Sequence, residues 1–266
     1  MSNCEHNCEN CSMNCSERTT KIINSANNNV KNVIGVVSGK GGVGKSLVTS
    51  LLATTVAKNG LSAAILDADI TGPSIPKAFG IQEQIYSDGQ FIQPAISRNG
   101  IKIVSMNLCL QNENEPVVWR GPVISGVVKQ FWEEVDWGEV DYMFVDMPPG
   151  TGDVPLTVFQ VIPLKGIIIV TTPQELVSMI VIKALKMAEM MKIPVLGIVE
   201  NMSYFECPNC KTKHYIFGKS HVKEIALTYG IKKVVEMPMK PELAELCDEG
   251  EIEKFKANNY FDKIFE

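Results

Sequence analysis

No apolar run in this 266-residue sequence approaches the roughly 20 residues that a bilayer-spanning helix requires. Runs such as Gly166 to Val170 have the length of buried strands. Nor is there an excess of positive charge. The formal net charge is −5, which gives no general attraction to nucleic acid. Met1 to Ser16 lacks the basic start and apolar stretch of a secretory leader. The C-terminal Asp262-Lys263-Ile264-Phe265-Glu266 is short and mixed in charge, unlike a basic helix that lies on a membrane. No internal repeat is visible, and no His or Cys–His arrangement suits covalent catalysis. These absences predict a soluble, cytoplasmic chain with no membrane and no nucleic-acid partner.

Cysteine, by contrast, is plentiful. Eight cysteines in a reducing compartment favour metal binding or redox chemistry over structural disulfides. Residues 1 to about 30 hold few large apolar side chains, and Asn27-Asn28-Asn29 cannot drive burial, so this part is expected to be a flexible tail. From Val33 onward β-branched runs alternate with longer segments able to form helices. The runs are Val33–Ser38, Ala63–Asp67, Ile101–Ser105, Tyr142–Asp146, Gly166–Thr171 and Val195–Val199. That rhythm predicts an α/β fold with a mostly parallel twisted sheet and helices on both faces, spanning residues 31–266 behind the Cys-rich tail of residues 1–30. Gly39, Asp67 and Asp146 lie at or just past strand ends, where such sheets bind ligands.

Gly39-Lys40-Gly41-Gly42-Val43-Gly44-Lys45-Ser46 follows a strand and precedes the helix expected over Leu47–Lys58. It is G-x-x-x-x-G-K-[ST] in the required context, the phosphate loop of a P-loop NTPase. Its glycines let successive N–H groups turn inward, and the helix N-terminus adds a favourable dipole for phosphate. On this reading ATP is the ligand, Lys45 neutralises the β- and γ-phosphates, and Ser46 binds Mg²⁺. Two carboxylates on alternate positions, Asp67 and Asp69, are candidates to bind Mg²⁺ through water and to orient the attacking water. Asp146, at the end of Tyr142-Met143-Phe144-Val145-Asp146, has the form of a Walker B residue that contacts Mg²⁺. The Met147-to-Asp153 loop behind it is rich in Pro and Gly and suits a switch segment. The chemistry is phosphoryl transfer by positioning and charge neutralisation.

Cys207-Pro208-Asn209-Cys210 offers two thiolates, half of a tetrahedral site. Two copies in a symmetric dimer would supply four sulfurs for a [4Fe–4S] cluster or Zn²⁺, whereas a zinc knuckle completed by His214 is the alternative within one chain. Cys4, Cys8, Cys11 and Cys15 are enough for a complete cluster or zinc site in the tail. Cys109 and Cys247 are expected to be packed thiols.

The extra Lys40 makes the loop resemble the deviant Walker A class of partitioning and division-site ATPases and the nitrogenase iron protein. That resemblance implies that Lys40 reaches the nucleotide of a partner subunit, as an arginine finger would. Together, Gly39–Ser46, Leu66–Pro76, Val118–Pro122, Val145–Asp153, Thr171–Gln174 and Val199–Tyr204 with Cys207 and Cys210 resemble the Mrp/ApbC/Nbp-type iron–sulfur cluster carriers. The resemblance implies a homodimeric ATPase with a [4Fe–4S] cluster bridged by Cys207 and Cys210 of both subunits and delivered to apo iron–sulfur proteins. It also implies that Gly39 to Leu47 cradle the nucleotide and that Asn201 and Pro238 border the adenine. The short spacing of the tail cysteines departs from that family, which leaves cluster or zinc open there. A spatial-organisation ATPase, or a regulatory ATPase with structural zinc, is the competing function.

Overall fold

The computed structural model describes residues 28–69, 74–109, 121–150, 152–256 and 260–265. In chain order the first half contains β1 (Asn29–Ser38), α1 (Lys45–Lys58), β2 (Ala63–Asp67), α2 (Ser74–Ala78), β3 (Tyr86–Ser87), β4 (Ile92–Gln93), β5 (Ala95–Ile96), β6 (Lys102–Ser105), α3 (Gly121–Glu134) and β7 (Glu139–Asp146). The second half contains α4 (Asp153–Val161), β8 (Gly166–Thr171), α5 (Glu175–Met190), β9 (Val195–Glu206), β10 (Lys213–His214), α6 (Val222–Thr228), β11 (Val234–Pro238), α7 (Pro241–Asp248) and α8 (Asp262–Phe265).

Among the described residues one sheet runs β5-β6-β2-β7-β1-β8-β9, with β11 on the far side of β9 and β10 against its outer end. All neighbours are parallel except β5 with β6 and β10 with β9. The run Gly-Ile-Ile-Ile-Val-Thr of β8 is buried throughout, as expected where helices cover both faces of a parallel sheet. Strand periodicity divides such a run between two cores. Val33, Val37, Ile167 and Ile169 face one cluster, with Trp132 and Phe159 from α3 and α4. Ile34, Val36, Ile168 and Val170 face the other, with Leu51 and Leu52 of α1. Every residue of α1 from Val48 to Val56 is buried, so this helix is fixed on all sides and its first turn becomes a rigid platform.

Two features depart from the sequence expectation. The first strand begins at Asn29, before residue 31, and Asn28 ahead of it is a connector. Its Oδ1 accepts the N–H groups of Trp137 and Gly138 at 2.8 and 3.2 Å, and its Nδ2 donates to the Val135 carbonyl at 2.9 Å. A polar side chain that cannot drive burial here satisfies a loop's backbone. The second is β9, which continues seven residues past Val199 to Glu206. The polar Glu200-Asn201 pair ends the apolar pattern, but β11 and β10 supply backbone partners beyond it. The extension carries Cys207 away from the sheet's body.

At the opposite end of the sheet from the phosphate loop, Asp141 of β7 joins β1 to Ser62, the residue just ahead of β2. Its carboxylate accepts bonds from Lys31 Nζ at 2.7 Å, Ser62 N–H at 2.9 Å and Ser62 Oγ at 2.8 Å. The Lys31 bond, then those of Ser62, hold its pKa down at about 2. A depressed carboxylate stabilises the fold above its unfolded-state pKa, and the contribution is lost as pH falls through the folded-state value. Asp141→Asn should therefore lower stability at neutral pH. It should also lose less stability than the parent between the ordinary value of 3.8 and about 2. Urea midpoints of both proteins on either side of that window would check this; parallel pH profiles would refute it.

Candidate functional site

Register, more than local motif, assembles the polar site. Across four adjacent strands Val36 pairs with Asp146, Asp146 with Asp67, and Asp67 with Ser105. Three polar residues therefore stand in a row at the carboxyl ends of β7, β2 and β6, beside the strand that feeds the phosphate loop. The loop leaves β1 after Ser38 and enters α1 through Gly44, which has φ 81°; Gly42 has φ 79°. Both are in the left-handed region that a side chain resists. Helix α1 starts at Lys45, two residues before the sequence pattern places it, so Lys45 and Ser46 occupy its first turn.

Lys45 is 6% exposed and Asp146 fully buried. Lys45 Nζ lies 2.7 Å from Asp146 Oδ2 and 3.3 Å from Asp69 Oδ2. Ser46 Oγ donates to the same Asp146 oxygen at 2.6 Å, and the Thr49 hydroxyl reaches Asp146 Oδ1 at 2.7 Å. Asp67 accepts from Ser105 Oγ at 2.8 Å and from the Asp69 N–H at 3.1 Å. Burial, then the neighbouring Asp146 charge, pushes the Asp67 carboxyl well above the usual range, against the pull of Ser105 and Lys45. Burial also disfavours the Lys45 ammonium, but Asp146, Asp69 and Asp67 outweigh it and raise its pKa.

This arrangement fits a nucleotide with a hard divalent cation. Lys45 lies between Asp146 and Asp69, and Asp146 and the Ser46 hydroxyl bonded to it are oxygen donors of the kind Mg²⁺ prefers. A cavity of about 450 Å³, lined by Gly42, Gly44, Lys45, Ser46, Asp69 and Pro149 among others, opens beside them. Asn201 and Pro238 are both buried but do not line that cavity. Asn201 Nδ2 donates to the Val43 carbonyl at 3.0 Å, and Pro238 pairs with Tyr204. Exposed Lys40 reaches Gln174 Oε1 at 3.4 Å.

Cys207 and Cys210 lie in the turn between β9 and β10. Cys207 N–H donates to the Thr212 carbonyl at 3.0 Å, and Lys211 N–H to the Cys207 carbonyl at 2.9 Å. Cys210 Sγ lies 3.2 Å from Thr212 Oγ1. The Thr212 hydroxyl, then its N–H and Cys207, bring Cys210 down to about 7, so much of it is thiolate at neutral pH. Among the described residues no three His, Cys, Asp or Glu side chains gather as a metal site. His214 therefore does not complete the pair into a zinc knuckle, and a single described domain offers half of a four-sulfur set. Cys247, in α7, is half-buried and lines the cavity. Cys109 is exposed, at the end of a 3₁₀ turn, rather than packed. Cys4, Cys8, Cys11 and Cys15 lie outside the described residues, as do Thr71 to Pro73 and Val118 to Arg120 of the motif segments.

Residues 29–266 match the ParA family in the form described as NUBPL iron-transfer P-loop NTPase. The chain belongs to that family. It is 47% identical over 247 residues to an iron–sulfur cluster carrier protein of Clostridium perfringens, covering 90% of this chain and 87% of that protein. A solved nucleotide-binding protein from Archaeoglobus fulgidus, in complex with ADP and with cobalt found in it, has a TM-score of 0.78 and 44% identity. That match covers 89% of this chain and 91% of the other. The MinC:MinD cell division complex of Aquifex aeolicus matches with a TM-score of 0.64 at 21% identity, over 88% and 93% of the two chains, and shares the fold alone.

Neither Thr49 nor Ser105 stands out in the sequence as a site residue, and Gln174 enters there only as the end of the Thr171–Gln174 segment. Thr49 is one helical turn beyond Lys45, on the same face, and Ser105 ends a strand level with Asp67; those were the available signals. Thr49→Val keeps the shape and removes a donor to a buried carboxylate. It should cost about 1–3 kcal/mol of stability and weaken Mg²⁺-dependent nucleotide binding. Chemical denaturation and titration with a fluorescent nucleotide would check both effects; an unaltered midpoint would show that Asp146 does not depend on this hydroxyl.

Proposed function

We propose that this chain is an ATP-binding, slowly hydrolysing scaffold that takes up an iron–sulfur cluster and passes it to apo-proteins in the cytoplasm. The observation that carries the proposal is an accessible cysteine pair in the turn between β9 and β10, in a family member whose phosphate-loop Lys45 and Ser46 converge on Asp146 beside an open cavity. Relatives named as iron–sulfur cluster carriers support the same reading.

In this reading Gly39 to Leu47 cradle the phosphates and Lys45 neutralises the β- and γ-phosphates. Ser46, Asp146 and Asp67 hold Mg²⁺, which neutralises charge on the phosphates when bound. Asp67 and Asp69 position a water for in-line attack on the γ-phosphorus; the bond to the bridging oxygen breaks, and ADP and phosphate result. Lys40 supplies positive charge to the nucleotide of a partner subunit, which ties turnover to a homodimer. Asn201 and Pro238 border the adenine. The cargo is a [4Fe–4S] cluster, bridged by Cys207 and Cys210 from each of two copies. Cys4, Cys8, Cys11 and Cys15 form a separate metal or cluster site in the segment ahead of the domain.

Anaerobic reconstitution with iron and sulfide tests the proposal, with iron, sulfide and zinc counted in the parent and in a Cys207→Ala/Cys210→Ala variant. The variant should lose about four irons and four sulfides per dimer while keeping the parent's affinity for ATP. Zinc without sulfide at the cysteine pair would overturn the carrier reading in favour of a regulatory ATPase with structural zinc. Loss of ATP binding in the variant would refute the separation of the two sites.

A further inference from the structure

Two neighbouring residues of β9 tie the cysteine hairpin to the phosphate loop. Asn201, 2% exposed, donates to the Val43 carbonyl inside the loop at 3.0 Å. A Cβ on Gly44 would sit 2.3 Å from the same Nδ2, so loop and carboxamide are in direct contact. The Asn201 Oδ1 accepts the Met202 N–H at 2.9 Å. Met202 has φ 56°, in a region that bulky residues seldom occupy. Its conformation is thus held by a side chain that also holds the loop.

Glu200 serves the other direction. It is 1% exposed, and as the preceding strand residue it faces away from Asn201. One carboxylate oxygen accepts from Ser203 Oγ at 2.7 Å and the other from Ser220 Oγ at 2.5 Å. Ser220 Oγ in turn accepts the N–H of Val222, the first residue of α6, at 3.1 Å. Ser203 precedes the hairpin and Ser220 follows it, so both ends of the segment that contains Cys207 and Cys210 are fastened to one buried carboxylate. A buried carboxylate satisfied by two hydroxyls contributes little net stability, and an apolar side chain would fill the same space without the desolvation cost. What it provides is a fixed distance between the two ends of the hairpin.

We propose that Glu200 is a positioning residue through which the state of the phosphate loop sets the placement of Cys207 and Cys210. This rests on reading the loop as a nucleotide site and the cysteines as a cluster site. When the loop closes on phosphate, Val43 carries Asn201 with it, and the bond that holds Met202 in the left-handed region is released. Met202 relaxes toward extended backbone, Ser203 shifts against Glu200, and the hairpin base opens or closes. By reciprocity a loaded cysteine pair alters nucleotide affinity by the same factor.

Alkylation of Cys207 and Cys210 by iodoacetamide, resolved by residue with mass spectrometry, tests this in the full chain without nucleotide, with ADP and with a non-hydrolysable ATP analogue. In the parent the rates should differ between nucleotide states by about fivefold or more. Glu200→Gln and Ser220→Ala should keep nucleotide affinity and lose that difference, and Ser220→Thr should restore it. A purely structural role would change all states alike and leave the ratio between them intact. Parent rates indifferent to nucleotide, or variants with the full response, would overturn the proposal. If Glu200→Gln does not fold, half-buried Ser220→Ala carries the test. Iron uptake by the same samples separates the readings. Normal uptake with a flat alkylation response rejects the coupling alone, and absent uptake rejects the cluster reading while the alkylation ratio still decides the coupling.

Discussion

Asp146 is fully buried, and the desolvation of an isolated carboxylate at that depth would outweigh any single contact nearby. It is tolerated because Lys45, Ser46 and Thr49, all from the first turns of α1, converge on its two oxygens within 2.7 Å. The consequence runs both ways. The helix cannot rotate or slide against β7 without stranding a buried charge, and the phosphate loop, which enters that helix at Gly44, is therefore anchored at its helix end while the residues ahead of Gly44 keep freedom to close. The carboxylate row made by parallel register then lies at a set height beside the loop. Rigidity of this kind is what phosphoryl transfer requires, since its catalysis is positioning and charge and involves no covalent intermediate with the protein.

The cysteine pair obeys the opposite logic. It sits at the tip of a hairpin beyond the covered part of the sheet, with Cys210 exposed and Cys207 only partly covered. A cluster that must leave is better held by an accessible turn than by a core. The cost of such placement is uncertain geometry, which the Thr212 bonds to both cysteines reduce. Under the proposed function one domain combines an anchored site for nucleotide with a yielding site for cargo, and β9 is the element that belongs to both.

Much of this was legible in the sequence because the relevant signals are local. The phosphate loop occupies eight consecutive residues, and its glycines have no cheaper explanation. The apolar runs of β2 and β8 ended where the pattern ended, and Asp67 and Asp146 were recognisable as strand termini. What was hidden depends on partners far along the chain. Asn28 looks like linker until Trp137 and Gly138 are beside it. The outer half of β9 is polar in sequence and is a strand only because β11 and β10 pair with it. Thr49 and Ser105 are ordinary residues until register and helical phase place them against a buried carboxylate. Glu200 is the extreme case: its two partners are Ser203, visible locally, and Ser220, brought back by a hairpin that no periodicity announces.

The same polar inventory bears on why two copies suit the proposed function. Within one described domain two parts are incomplete. Among the described residues the exposed Lys40 bonds the amide of Gln174 at 3.4 Å, and the cysteine pair would supply two sulfurs of the proposed four. A two-fold axis presents each incomplete part to its own copy, because an isologous interface pairs the same surface with itself. Two independent interfaces could answer the two deficits, but a single symmetric one would answer both and make the nucleotide site and the cluster site complete in the same event. Cluster binding would then favour the closed pair, the closed pair would place Lys40 at the partner's phosphates, and hydrolysis would remove the contact that holds the copies together. Under the proposed function ATP would then act at the interface, and the cluster would be released as the four-sulfur set divided again into halves.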